Sequence, residues 1–153
     1  GIYLDKKLNW AYHIKTKRKS FNLRLHTLRN ILRSKFLLRT KILIYKQFIR
    51  VTMTYGIQIW GTCKNSKLNR LQSFQSTNLR IITGAPWFVS NQSLHNDLKI
   101  RILLKLASQY YKKLHSATTN HPNPLISNLQ FISNPINSLR HLKHQWPRYL
   151  LKN

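Results

Sequence analysis

Along most of this chain apolar residues recur at intervals of three and four, the spacing that stacks side chains on one face of a helix. Between Tyr12 and Leu32 the positions Ile14, Phe21, Leu25, Leu28 and Leu32 share a face, while Lys15, Lys17, Arg18, Lys19, Arg24 and Arg29 spread over the remaining surface. Ser34 is a plausible N-cap for a second helix over Phe36–Arg50. The continuation Val51–Trp60 is ambiguous, because its β-branched residues and Gly56 would permit a strand. A strand needs a partner and the chain offers few, so the pattern favours a helix running through to Trp60 and a turn at Gly61. Ser66–Ile82 reads as a third helix, with Leu68, Leu71, Phe74, Leu79 and Ile82 inward and Gly84 as its C′ residue. Pro86 blocks any continuation. Ser90 or Asn91 can cap a short helix through Leu98. A longer helix to about His115 carries Leu103, Leu106, Ala107, Tyr110 and Leu114 as its apolar stripe.

The ends read differently. Residues 1–5 are β-prone and close at Asp5, which suggests a short strand or extended entry. After Thr118 the chain turns rich in Asn, Ser and Pro, with Pro122, Pro124 and Pro135 interrupting structure. The expected fold is mainly α: a short N-terminal strand, a bundle of about four to five helices, and an irregular Pro/Asn-rich C-terminal tail. The boundaries fall at 1–11, 12–116 and 117–153, with a short helix near Ile136–Lys143 in the tail. No internal repeat is visible.

Charge then narrows the function. Twenty-seven Lys and Arg face two acids in 153 residues, a formal net charge of +25 at pH 7. Such a density repels itself within a compact chain, and a polyanion relieves the repulsion with counterion release. DNA or RNA is the first candidate partner and an anionic membrane surface the second. With 42% hydrophobic residues the chain is too apolar for a disordered basic tail. No apolar run is long enough for a membrane span, and no signal-peptide pattern follows Ile2-Tyr3-Leu4. Secretion is therefore not expected. The single Cys, Cys63, excludes an internal disulfide and reads as a small interior or partly exposed residue. The start at Gly1 and not Met, in what reads as mid-strand, suggests a fragment.

The scarcity of acids excludes more chemistry than the cations suggest. Two-metal nucleotidyl transfer needs several oxygen ligands, normally carboxylates, and here only Asp5 and Asp97 exist, in separate elements. The same shortage argues against two-carboxylate glycosidases and a Ser-His-Asp triad. Asp97 has a structural explanation as an i,i+4 partner of Arg101, and Asp5 as a strand-end or turn residue. His141 and His144 have helical i,i+3 spacing but no third ligand nearby, so no metal site is assigned. The run Lys15-Thr16-Lys17-Arg18-Lys19 could track a phosphate backbone, and Arg24, Arg29, Arg39, Lys41, Lys46 and Arg50 could extend it over two adjacent helices. Tyr55, Trp60 and Trp87 lie in apolar sequence neighbourhoods, where core packing is favoured over base stacking.

The order of segments resembles a known family. Gly1-Ile-Tyr-Leu-Asp with Leu8-Asn-Trp and His13-Ile14 is similar to the "YLGV-LD-LTW-HI" stretch of jockey-clade non-LTR retrotransposon reverse transcriptases. Tyr55-Gly56-Ile57-Gln58-Ile59-Trp60-Gly61 resembles their "YG-QLWG" segment. Leu71-Gln72 to Gln75 and Leu79-Arg80-Ile81-Ile82-Thr83-Gly84-Ala85-Pro86-Trp87-Phe88-Val89 resemble "LQ-Q-LR-ITGAPWYV". His95-Asn-Asp-Leu98 and His121-Pro-Asn-Pro-Leu125 follow in family order. The chain departs from the family at Arg101-Ile102-Leu103-Leu104, where a Pro-containing turn and acidic positions are usual.

The resemblance implies a region after the polymerase palm, comprising the last palm strand, the thumb and a C-terminal extension. The "YADD" carboxylate box of that family is absent, so no catalytic residue carries over. It implies an RNA template and a DNA primer strand as partners, held by thumb helices, together with the remaining polymerase domains upstream. No cofactor is expected in this chain, Mg2+ being needed only in the complete polymerase. A nuclear or cytoplasmic ribonucleoprotein is the implied location. Two other readings stay open: a stand-alone basic RNA- or DNA-binding module, and a basic structural ribonucleoprotein component.

Overall fold

The computed structural model describes residues 1–6, 8–119, 121–128 and 150–151. Among these residues the chain is mainly helical and contains no strand. The expected helix near Ile136–Lys143 and the pair His141 and His144 lie outside the described residues.

Residues 1–5 form no strand, because the entry to the first helix is organised by side chains and not by a sheet partner. Tyr3 donates its backbone N–H to His13 Nδ1 at 3.2 Å. Asp5 accepts from the backbone N–H groups of Asn9 and Ala11 at 2.8 and 3.2 Å. Between them Trp10 sits at φ 62 with its indole 5% exposed. A left-handed backbone costs a bulky residue about 1–3 kcal/mol, and here the Asp5 clamp and the burial of the indole hold it in place.

The first helix, α1, spans Ala11–Arg33 and buries His13, Ile14, Lys17, Phe21 and Leu32. It packs along α5 (Asn65–Thr83), the other long central helix. Ser34 closes α1 and does not open the next helix: its hydroxyl donates to the Ile31 carbonyl, and Leu37 occupies the N-cap of α2 (Leu38–Ile44).

The predicted helix through Trp60 is broken into pieces. α2 passes into a π-helical turn over Tyr45–Arg50, then α3 (Val51–Thr54) and, after a bend at Tyr55-Gly56, α4 (Ile57–Trp60). The buried residues of this stretch, Tyr45, Ile49, Met53 and Ile57, are each four apart. In a regular α-helix such a row drifts about 40° per step. The wider π turn takes up the drift and keeps the row facing the core. Gly56 then adopts φ 69, and a Cβ there would stand 2.5 Å from Ile2 Cδ1. Gly61 lets α4 approach α7 (Leu103–Thr119), since a Cβ on it would meet the Ala107 Cβ at 2.7 Å.

α5 buries Leu68, Leu71, Leu79 and Ile82, while Phe74 is half-buried and stacks on Phe21 of α1. Gly84, at φ 67, ends it by donating to the Arg80 carbonyl at 2.8 Å. Ser90 caps α6 (Asn91–Asp97) by accepting from the Ser93 N–H. α7 buries Leu103, Leu106 and Ala107, but Tyr110 and Leu114 of its predicted stripe are exposed. Part of the segment read as loose tail is ordered: Pro124–Ser127 form the helical turn α8 against α7, and Ser108 donates to the Leu150 carbonyl.

Candidate nucleic-acid interface

The helical wheel of α1 separates its cations by role. Lys15, Arg18, Lys19, Arg29 and Arg33 are all exposed; Lys15, Arg18, Asn22, His26, Arg29 and Arg33 follow one another at three- or four-residue steps, with Lys19 beside Arg18. From Lys15 to Arg33 this row is about 27 Å long at 1.5 Å per residue. Asn22, His26 and Arg33 were not singled out from the sequence, although the i,i+3/i+4 spacing that defines helix faces identifies them.

Lys17 and Arg24 behave otherwise. Lys17 is buried, donates from Nζ to the Thr52 carbonyl at 2.9 Å, and lies 5.1 Å from the centre of the Tyr55 ring. Burial, and then the Arg24 charge, hold its ammonium below the ordinary lysine range. Arg24 donates from Nη1 to the Phe48 carbonyl at 3.1 Å. Both long side chains thus reach from α1 to carbonyls of the irregular π–α3 stretch. Arg39 is exposed, while Lys41, Lys46 and Arg50 are half-buried on α2 and the π turn.

The motif residues divide in the same way. Trp60 is fully buried and its Nε1 donates to the Tyr55 carbonyl at 2.9 Å. Leu71 and Leu79 are core residues. Gln72 joins three elements: its Nε2 donates to His95 Nε2 at 2.9 Å and its Oε1 accepts from the Leu103 N–H at 2.8 Å. The Nδ1 of that His95 donates to the Ile100 carbonyl at 2.8 Å, which fixes the neutral Nδ1–H tautomer. Arg80 braces the following loop, donating to the carbonyls of Pro86 and Val89 and to Asn91 Oδ1.

Tyr55 and Trp87 are not core residues. Tyr55 is 58% exposed, with the Lys17 ammonium over its ring, and Trp87 is 89% exposed at the tip of the Arg80-braced loop. Apolar neighbours in sequence do not pack around Trp87, because Pro86 and the end of α5 at Gly84 turn the loop outward. Phe88 beside it, 71% exposed, was missed.

Elsewhere burial dominates the chemistry. His13 lies between the rings of Tyr3, Trp10 and Trp60. Burial, then the charges of Lys17 and the N-terminus, press its pKa down to about 4. Cys63 is 1% exposed and burial pushes its thiol up to about 11, so it is an inert core residue. Asp97 ends α6 and the chain reverses at Lys99 with φ 49, so no helix carries the expected pair with Arg101. Arg101 instead donates to Gln109 Oε1. Among the described residues no three His, Cys, Asp or Glu come together to hold a metal. Asp5 is committed to two backbone N–H groups, so the donor set does not fit a polymerase metal pair. No helix among the described residues is long and apolar enough to cross a membrane.

Sequence comparison gives these features a context. The chain is 33% identical over 153 residues to the probable RNA-directed DNA polymerase from transposon X-element of Drosophila melanogaster, covering 99% of this chain and 16% of that protein. It is 32% identical over 158 residues to the RNA-directed DNA polymerase from mobile element jockey of Drosophila funebris, covering 99% of this chain and 17% of the relative. The probable RNA-directed DNA polymerase from transposon BS of Drosophila melanogaster is 32% identical over 95% of the chain. The chain therefore spans only a small part of the length of these curated relatives. No family model and no solved structure matches it.

Proposed function

We infer the function of this chain from the premise that it belongs, by sequence, with jockey and other non-LTR transposon RNA-directed DNA polymerases. It is the template-primer-binding, thumb-like portion of such a polymerase and is not catalytic alone. The observation that carries this reading is the exposed row on α1, where Lys15, Arg18, Lys19, Arg29 and Arg33 present a line of charge in a chain of net charge +25. A line of cations at helical spacing suits the phosphates of a polynucleotide strand, which repeat along one direction.

The partners on this reading are an RNA template, a DNA primer strand and the remaining polymerase domains. The last are supported by Phe36, Leu37, Leu38, Leu43 and Phe48, which are all exposed on and before α2 and the π turn. Any Mg2+ belongs with carboxylates supplied elsewhere in the complete polymerase, and a nuclear or cytoplasmic ribonucleoprotein is its setting.

Fluorescence anisotropy with an RNA–DNA hybrid tests this reading. The logarithm of affinity should fall linearly with the logarithm of salt, by about 0.7–0.9 per phosphate neutralised. A flat salt response sinks it. A primed-template assay should show no nucleotide incorporation by this chain alone.

A further inference from the structure

The loop after α5 presents two aromatic side chains to solvent from a backbone that is held in place. Trp87 is 89% and Phe88 71% exposed, and their rings meet edge-on at 6.1 Å and 81°. Exposed aromatics of this size usually collapse onto the nearest apolar surface unless something holds them out. Here the Arg80 guanidinium grips the loop at the Pro86 and Val89 carbonyls and at Asn91 Oδ1, and Pro86 fixes its own φ. An edge-on pair leaves ring faces open, and rings already held out lose little entropy on binding.

The foot of the same loop is cationic. Gly84 and Ala85 wall a surface depression together with Arg33, from the end of the α1 row, and Lys41 of α2. Among the described residues the charged ends of Arg33 and Lys41 make no hydrogen bond. Ala85 and Trp87 are two residues apart, so their Cα atoms lie within about 7.6 Å. A phosphate at Arg33 and Lys41 and a base at Trp87 are therefore within reach of one strand. Bases inside a duplex are already stacked on both faces by their neighbours, whereas unpaired bases offer free faces.

We propose that the Gly84–Val89 loop is a stacking platform for unpaired bases of a single strand whose backbone continues from the α1 row. This deepens the nucleic-acid reading and rests on it. The single row of cations leading to the loop favours a linear polyanion over a lipid surface, which would need its charges spread over a plane.

The test compares the 153-residue chain with its Trp87→Ala/Phe88→Ala variant on two labelled probes: a blunt RNA–DNA hybrid, and the same hybrid with a short unpaired extension. Both side chains lie outside the core, and an unchanged melting temperature verifies that the fold survives. The variant should bind the extended probe roughly 5- to 100-fold more weakly and the blunt probe within about twofold of the parent. Trp87→Phe should retain most of the affinity for the extended probe. Equal losses on both probes, or no loss on either, overturn the platform while leaving the nucleic-acid reading intact. If the parent binds neither probe, both fall. Binding to phosphatidylserine vesicles that depends on Trp87 and Phe88, with nucleic-acid binding that does not, also overturns the platform.

Discussion

Lys17 Nζ donates to the Thr52 carbonyl at 2.9 Å, which ties the middle of α1 to the last turn of α3. Thr52 is among the final residues of a helix that ends at Thr54, so its carbonyl has no partner further along the helix. Lys17→Ala should therefore cost about 1–3 kcal/mol of stability, the worth of a hydrogen bond from a charged donor to a part-buried carbonyl. Affinity for an RNA–DNA hybrid at moderate salt should stay within about twofold. Replacing Lys15, Lys19 and Arg29 by Gln should do the reverse, leaving the melting temperature nearly unchanged and flattening the salt dependence. Chemical denaturation and salt-titrated anisotropy on the two variants separate these outcomes. A Lys17→Ala protein that binds as weakly as the triple variant would place Lys17 in the interface.

A second consequence concerns pH. His13 is pressed from its ordinary 6.5 down to about 4, first by burial and then by Lys17 and the N-terminus. The unfolded chain takes up a proton below 6.5 that the folded chain refuses, so the unfolded state binds more protons between those values. The stability contributed by neutral His13 is present above pH 6.5 and is lost as pH falls toward 4. The maximum slope is about 1.4 kcal/mol per pH unit for one group. Thermal melts from pH 7 to pH 4 should show a steeper loss for the parent than for His13→Gln, which keeps an acceptor for the Tyr3 N–H but cannot titrate. Parallel curves would remove His13 as the cause.

Much of this architecture was legible from apolar spacing. α1, α5 and α7 emerge within a few residues of their bounds, because each buries a stripe at helical intervals. By charge Lys17 falls in the basic run, but by position it joins Ile14, Phe21, Leu25, Leu28 and Leu32 in one unbroken three-and-four row, and its side chain is buried. The π turn is hinted at by the four-residue spacing of Tyr45, Ile49, Met53 and Ile57. Periodicity is silent on the Trp87 loop, since the direction a loop takes depends on Gly84 and on the Arg80 clamp. The first five residues read as β because propensity says nothing of a carboxylate that caps the backbone ahead.

Gly61 offers a test of the α4–α7 packing. A Cβ there would approach the Ala107 Cβ to 2.7 Å, and overpacking of this kind costs about 1–3 kcal/mol. Gly61→Ala should lower stability by that amount in urea titration, and adding Ala107→Gly should recover part of the loss attributable to their contact. A strictly additive double variant would show that the strain arises within the Ile57–Gly61 turn, where the Ile57 carbonyl crowds the same Cβ position.

Arg80 provides the last test, because its guanidinium serves three acceptors at once: the Pro86 and Val89 carbonyls and Asn91 Oδ1. Lysine keeps the charge but offers a compact ammonium that cannot span the same acceptors in one plane. Arg80→Lys should therefore loosen residues 85–90 while leaving the core of α5 intact. Hydrogen exchange should speed up in that loop, with little change at Leu71 or Leu79, which are both fully buried. The cost should fall on local opening of the loop, about 1–3 kcal/mol, set by the backbone carbonyls that lose a charged donor. If exchange in the loop is unchanged, the loop is held by Pro86 and the Gly84 cap alone, and Arg80 acts only as a surface charge.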